Sequence, residues 1–209
     1  MSLVDKLLSS SGKRSKIENK SLAKEIADNT DRKSIQGLIE LLDKKGRNIQ
    51  SDTIEVLYET GYLKPELIAD HYKIFVELLS NKNNRLVWGA MIALSSISKI
   101  MPGVIFKALP DISKAVDKGS VITKDAGVAV YANLATVKRQ KEKVLPMLFD
   151  ELKKCPDKQV AQYAEKSCIA IDIESKEAFL KVITSRLRNL EKQSQIKRVK
   201  KVIKRVEKA

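Results

Sequence analysis

Apolar residues recur along the chain about every 37 residues, and this period restricts the fold more than any other feature. Ile35, Leu38 and Leu42 have spacings of three and four residues, which place their side chains on one side of a helix. The triplet returns with offsets of 37, 37, 36 and 35 residues as Tyr72-Phe75-Leu79, Leu109-Ile112-Val116, Leu145-Leu148-Leu152 and Leu180-Ile183-Leu187. Such a period is typical of repeat proteins, in which each unit buries its apolar side against the next.

A second apolar stripe lies between successive triplets. It begins as Ile49, Thr53, Val56 and Leu57, and it returns as Leu86-Ala90-Ala93-Leu94, Ile122-Ala126-Ala129-Val130 and Val160-Ala164-Ser167-Cys168. Its second member is always small, which allows a neighbouring helix to approach closely. Each repeat is therefore predicted to contain a helix A, which carries the triplet, and a helix B, which carries this stripe.

Turn residues separate the predicted helices and keep the connections short, so successive helices should run antiparallel. These residues are Asp43 to Gly46, Gly61, Pro65, the pairs Pro102-Gly103 and Lys118-Gly119 around one helix A, and Pro156-Asp157. An opening helix is predicted over 14–29, with Ile17, Leu22, Ile26 and Ala27 as its apolar face. A closing helix is predicted over 194–208, with Ile196, Val199, Ile203 and Val206 facing the array.

Two short motifs resemble those of HEAT repeats, and more loosely those of armadillo repeats. Leu109-Pro110-Asp111-Ile112 and Leu145-Pro146-Met147-Leu148 are similar to the Leu-Pro-x-Leu of HEAT A helices, and Arg85 to Leu94 is similar to the HEAT B helix. The resemblance implies an all-α, right-handed α-α superhelix of about five helical hairpins with N- and C-terminal capping helices. It also implies that Pro110 and Pro146 kink their A helices. We expect residues 13–209 to form this single domain, after a lead over 1–12 that frays.

Composition and residue usage argue against several classes of protein. No apolar stretch is long enough to cross a bilayer, and the first residues lack the pattern of a signal peptide, so we expect a cytoplasmic protein without membrane insertion. Cys155 and Cys168 form no Cys-x-x-Cys pair and the chain has a single histidine, so no metal or other cofactor is expected. Cys168 falls on a core position of the stripe and is predicted to be a small buried side chain.

Catalytic patterns are equally scarce. His71 is the only histidine, and no glycine-rich phosphate loop is present. Some HEAT-like proteins are DNA glycosylases that remove alkylated bases, so the resemblance leaves such an enzyme as an alternative. That chemistry requires an acid beside groove aromatics, whereas the residue four positions after Trp88 is Ile92. We therefore expect a non-enzymatic scaffold.

The side of the B helices opposite their stripe is the predicted binding surface, because in HEAT-like arrays it lines the concave groove. Apolar and aromatic residues near charged ones would suit a protein or peptide partner. An alternative is that the aliphatic members only pack between adjacent B helices. The predicted groove residues are Tyr58, Trp88, Ile92, Lys99, Lys124, Val128, Tyr131, Lys166 and Ile169.

Positive charge is concentrated at the C-terminal end of the chain. Residues 176–209 contain 12 of the 40 Lys and Arg but only 3 of the 26 Asp and Glu. This pattern predicts a basic patch that would attract the phosphates of a nucleic acid or an acidic protein surface; a merely solvated end helix is the alternative. The patch consists of Lys197, Arg198, Lys200, Lys201, Lys204, Arg205 and Lys208.

Overall fold

The computed structural model describes residues 16–43 and 46–208 of the 209-residue chain. Within these ranges the regular structure is entirely helical, so the all-α prediction is confirmed. The predicted lead over 1–12 lies outside the described residues. The described part forms two compact units, one ending at Gly127 and the other beginning at Val128.

The first unit contains α1 to α7 and the beginning of α8. The α-helices are α1 (Lys16–Asp28), α2 (Arg32–Leu42), α3 (Arg47–Leu63), α4 (Tyr72–Leu78), α5 (Asn84–Ile100), α6 (Pro102–Lys107), α7 (Leu109–Lys118) and α8 (Val121–Ala135). Two 3₁₀ turns, Pro65–Leu67 and Ala69–His71, precede α4. Polar side chains cap several of these helices; the Asp31 carboxylate, for example, accepts a bond from the Ser34 N–H at 2.9 Å.

The second unit contains the rest of α8 and four further helices. These are α9 (Lys138–Lys154), α10 (Asp157–Ser167), α11 (Ile173–Leu187) and α12 (Gln193–Lys208), with a 3₁₀ turn at Cys168–Ala170. Asp172 caps α11 through a capping box with Ser175. The first residues of the B helices, which are α3, α5, α8, α10 and α12, follow one another at intervals of 37, 37, 36 and 36 residues. The sequence period is therefore the period of the helices.

Packing within each unit follows the predicted stripes. In the first unit α3 lies between α1 and α5, while α2 and α4 pack against α3 and α5, respectively. The middle residue of every triplet is fully buried, and in the second unit the Phe149 and Phe179 rings lie 6.0 Å apart. Burial of these side chains is the main stabilising contribution to such a core.

Glycine permits a close approach at two seams. A Cβ atom on Gly89 of α5 would lie 2.5 Å from Cγ1 of Ile54 on α3, and one on Gly127 of α8 would lie 2.2 Å from Cγ2 of Val116 on α7. Gly89 and Gly127 adjoin the small stripe residues Ala90 and Ala126, both of which are buried, so close approach at these seams involves the glycine as well as the predicted small residue.

Several local predictions were wrong. Pro110 does not kink a helix, because this helix A is divided in two at Ala108 and Pro110 lies in the first turn of α7, where its missing N–H costs little. Pro146 does lie inside α9. Gly61 lies within α3 rather than at its end. Ile17 and Ile122, predicted to be core residues, are exposed because both lie at the first turns of their helices.

Candidate functional site

An aromatic cluster joins two neighbouring B helices in the first unit. Tyr58 and Tyr62 are four residues apart on α3 and so share one side of the helix. The Tyr58 ring lies 5.8 Å from the Trp88 ring on α5 and 6.0 Å from the Tyr62 ring, measured between centroids. Tyr58 is buried, Trp88 is partly exposed, and Tyr62 has 56% of its surface exposed. The cluster therefore has a fixed base and two rings that a ligand can reach.

Two acidic side chains, Glu55 and Glu59, lie beside this aromatic cluster, and the Lys20 ammonium group lies 3.6 Å from the Glu59 carboxylate. Burial raises the pKa of Tyr58, and the charges of Glu55 and Glu59 raise it further. The pKa of Tyr62 is raised by burial and then by Glu59. Both phenols thus stay protonated at neutral pH and can donate hydrogen bonds, while the local charge favours a cationic or neutral ligand.

A buried polar bridge holds α1 against the same side of α3. The Asn19 amide nitrogen donates to Asp52 and to Glu55, each at 3.2 Å, and all three side chains are buried. Glu55 is also hydrogen-bonded to Tyr58. Both carboxylates therefore have structural partners, and Glu55 also helps to fix the position of the Tyr58 ring.

The exposure expected for the predicted groove residues holds for only part of the set. Lys99 and Ile169 are exposed, and Trp88, Lys124 and Lys166 are partly exposed. The expectation was wrong for Tyr58, Ile92, Val128 and Tyr131, which are buried. Helix α3 packs side by side with α1 and with α5. Side chains of neighbouring helices therefore cover much of the side of these B helices that lies opposite the stripe. On α8 apolar residues occur around the whole helix, which is typical of a buried helix.

Tyr62 belongs to the aromatic cluster but is absent from the predicted groove residues. Its position four residues after Tyr58 was the available signal, because the two rings must share a helix face. A position near the end of α3 leaves Tyr62 less covered than residues in the middle of the helix.

The predicted basic patch lies on α12 in the second unit. Val199, Val202 and Val206 are buried and attach α12 to α10 and α11. Of the patch residues Arg198 is partly buried and the others are exposed. Arg198 donates to both carboxylate oxygens of Glu165 on α10, at 2.8 and 2.6 Å, and this bond lowers the pKa of Glu165. Arg198 thus fixes the helix in place, and the remaining patch residues are available to a ligand.

A cleft of about 800 Å³ also opens in the second unit, beside the first turns of α9 and α11. Ile169 and Ala170 form part of its apolar wall. An ion pair between Lys141 and Asp172 crosses its rim and, together with Ser175, lowers the pKa of Asp172. Of the predicted groove residues Ile169 lines this cleft, whose other walls come largely from helix ends that the periodic pattern does not describe.

The remaining titratable candidates have no catalytic arrangement around them. Burial lowers the pKa of His71, with a smaller effect from Arg32, and burial raises the pKa of both thiols, that of Cys155 to about 11. Cys168 is only partly buried, in contrast to its predicted core position. Within the described ranges no group of three or more His, Cys, Asp or Glu is placed to hold a metal ion. No described helix combines the length and apolar content needed to cross a membrane.

The fold is similar to that of solved armadillo repeat proteins. No protein-family model and no curated protein matches the sequence. Among solved structures, a designed armadillo repeat protein in complex with the peptide (KR)4 aligns with a TM-score of 0.68 and 16% identity, over 96% of this chain and 90% of that one. Computationally designed armadillo repeat proteins for modular peptide recognition align with a TM-score of 0.65, 16% identity and the same coverages.

A further engineered protein aligns over 100% of both chains, with a TM-score of 0.66 and 16% identity. Identities this low carry information about the fold and not about a ligand. With the 37-residue period and the paired helices, the likeness shows that this chain is an armadillo- or HEAT-like all-α repeat solenoid.

Proposed function

We propose that the protein is a non-enzymatic scaffold that binds a peptide, or an exposed segment of a protein, at the aromatic cluster of Tyr58, Tyr62 and Trp88. The observation that carries the proposal is the partly exposed Trp88 ring, held against the buried Tyr58 ring across the α3–α5 seam. Large aromatic side chains with a fixed orientation provide contact area at a small cost in conformational entropy.

Two further observations support this function. The partly exposed Trp88 ring and the exposed Tyr62 ring favour Lys or Arg in the ligand through cation–π contacts, and the buried Glu55 and the Lys20-paired Glu59 add negative charge nearby. The designed proteins of the same fold include one bound to the basic peptide (KR)4 and others made for peptide recognition. The glycosylase alternative is less well supported, because Asp52 and Glu55 are buried and bonded to Asn19 rather than open to a base.

The proposal is tested by selecting, from a random peptide display library, the peptides that bind the full chain. Trp88 is the only tryptophan, so its fluorescence reports directly on the proposed site. Enriched peptides should shift Trp88 emission on binding. The Trp88→Ala variant, whose binding is measured by the fluorescence anisotropy of a labelled peptide, should bind them about 30-fold more weakly, the effect of removing an interface hot spot.

The matched control is Ile173→Ala, which truncates an exposed apolar side chain in the second unit and should leave binding unchanged. Circular dichroism establishes that both variants are folded. Peptides that bind both variants as tightly as the unaltered chain would refute the proposed site, as would a selection that enriches no peptide.

A further inference from the structure

The exposed side of α12 carries a straight row of lysines. Lys197, Lys201, Lys204 and Lys208 have spacings of four, three and four residues, so they lie within a sector of about 60° on the helix. The row is about 16 Å long, at 1.5 Å of rise per residue. All four side chains are exposed. We call these four residues the lysine row.

The lysine row has little acidic compensation in its surroundings. Within the part of the chain that the structure describes, none of its four ammonium groups forms an ion pair with a carboxylate. Glu165 lies near Lys201, but Arg198 holds both of its oxygens. Glu207 is the only acidic residue of α12, whereas Lys200 and Arg205 add positive charge on either side of the row. The row therefore presents a line of positive charge with little acidic compensation.

We propose that the lysine row binds the phosphate backbone of a nucleic acid, without sequence preference. The side of α12 that carries the row contains no aromatic or large apolar residue that could act as a protein hot spot or insert into a membrane. Val199, Val202 and Val206 are buried against α10 and α11. Ile196 and Ile203 are partly exposed, but they lie more than about 100° around the helix from the centre of the row. A purely ionic row fits a partner whose charges are regularly spaced along a line, as phosphates are. The row also lacks side chains suited to reading base edges.

Fluorescence anisotropy with a labelled 20-base-pair DNA duplex and the full chain tests this proposal. Four phosphate contacts predict a slope of about −3.6 in a plot of log affinity against log salt, which is on the order of a hundredfold loss between 50 and 200 mM salt. Changing all four lysines of the row to Gln should weaken binding at 50 mM salt by on the order of a hundredfold and should flatten the slope.

The matched control changes Lys33, Lys73, Lys82 and Lys114 to Gln, which lowers the net charge equally at four exposed positions of the first unit. It should keep the slope of the unaltered chain. Equal losses in both quadruple variants, or no binding at 50 mM salt, would overturn the proposal. The proposal would also be overturned if polyglutamate displaced the labelled duplex at a lower concentration than unlabelled duplex does, because the partner would then be an acidic protein. The Trp88 site is not involved in any of these results.

Discussion

Arg186 is the side chain whose replacement should most clearly weaken the second unit. From α11 its guanidinium donates to the carbonyls of Lys153 at 2.6 Å and Cys155 at 2.7 Å, and to the Asp157 carboxylate at 2.9 Å. Lys153 and Cys155 lie at the end of α9, where backbone carbonyls lack helical partners, and Asp157 begins α10. One planar side chain thus joins three helices, and lysine cannot reproduce its fork.

The Arg186→Lys variant keeps the charge but loses at least one of the two backbone bonds. A hydrogen bond to a charged group contributes about 1.5–3 kcal/mol, and the freed carbonyl regains part of this from water. The bond to Asp157 adds little, because that carboxylate is 60% exposed. We therefore expect local opening of the α9–α10 junction to become easier by about 2 kcal/mol, or about 30-fold.

The Cys155 thiol provides a local assay of this opening. It is buried at the junction, and its pKa is raised to about 11, so it should react slowly with a disulfide reagent at pH 8 unless the junction opens. In a Cys168→Ala background, Arg186→Lys should speed the labelling of Cys155 about 30-fold. Arg188→Lys changes an exposed arginine at the end of the same helix and should leave the rate unchanged. If Arg186→Lys labelled within threefold of its parent, the proposed clamp would be refuted.

Two further outcomes follow from the packing and the charges. Gly89→Ala should lower the free energy of unfolding by about 1–2 kcal/mol, because the new Cβ atom would overlap the buried Ile54 side chain. This loss should exceed the gain from the higher helix propensity of Ala. Chemical denaturation measures the change, and an unchanged midpoint would contradict the prediction. Glu165 has a lowered pKa in the folded chain, so its pairing with Arg198 contributes above the unfolded-state pKa of about 4.3 and is lost as the pH falls through the folded value. Glu165→Gln should therefore be less stable at pH 7, by under about 1 kcal/mol for this partly exposed pair, and the difference from the parent should shrink as the pH falls through the lowered pKa of Glu165. A difference that stays constant as Glu165 is protonated would exclude the linkage.

Periodicity was a reliable guide to the helices because burial against the neighbouring repeat recurs at every repeat. Leu38, Ile112 and Ile183 occupy the middle position of their triplets, and all are fully buried. The exposure of the B helices was less predictable. Whether Trp88 or Ile92 reaches solvent depends on the side chains of adjoining helices, and a pattern within one helix contains no information about them. The predicted groove therefore included buried residues such as Ile92 and omitted Tyr62.

Polar contacts between repeats follow a rule that the sequence does contain. Asn19 reaches Glu55 across 36 residues, Arg198 reaches Glu165 across 33, and Arg186 reaches Lys153 across 33. Each separation is close to one repeat, because side chains in a solenoid meet the equivalent region of the neighbouring unit. The period thus indicates in which part of the neighbouring repeat a partner lies, but not which residue it is. Helices begin and end at different points in successive repeats, and these ends decide which side chains meet. The paired helices and their period could be predicted from spacing, whereas the clamp at Arg186 and the aromatic cluster required the arrangement of side chains in space.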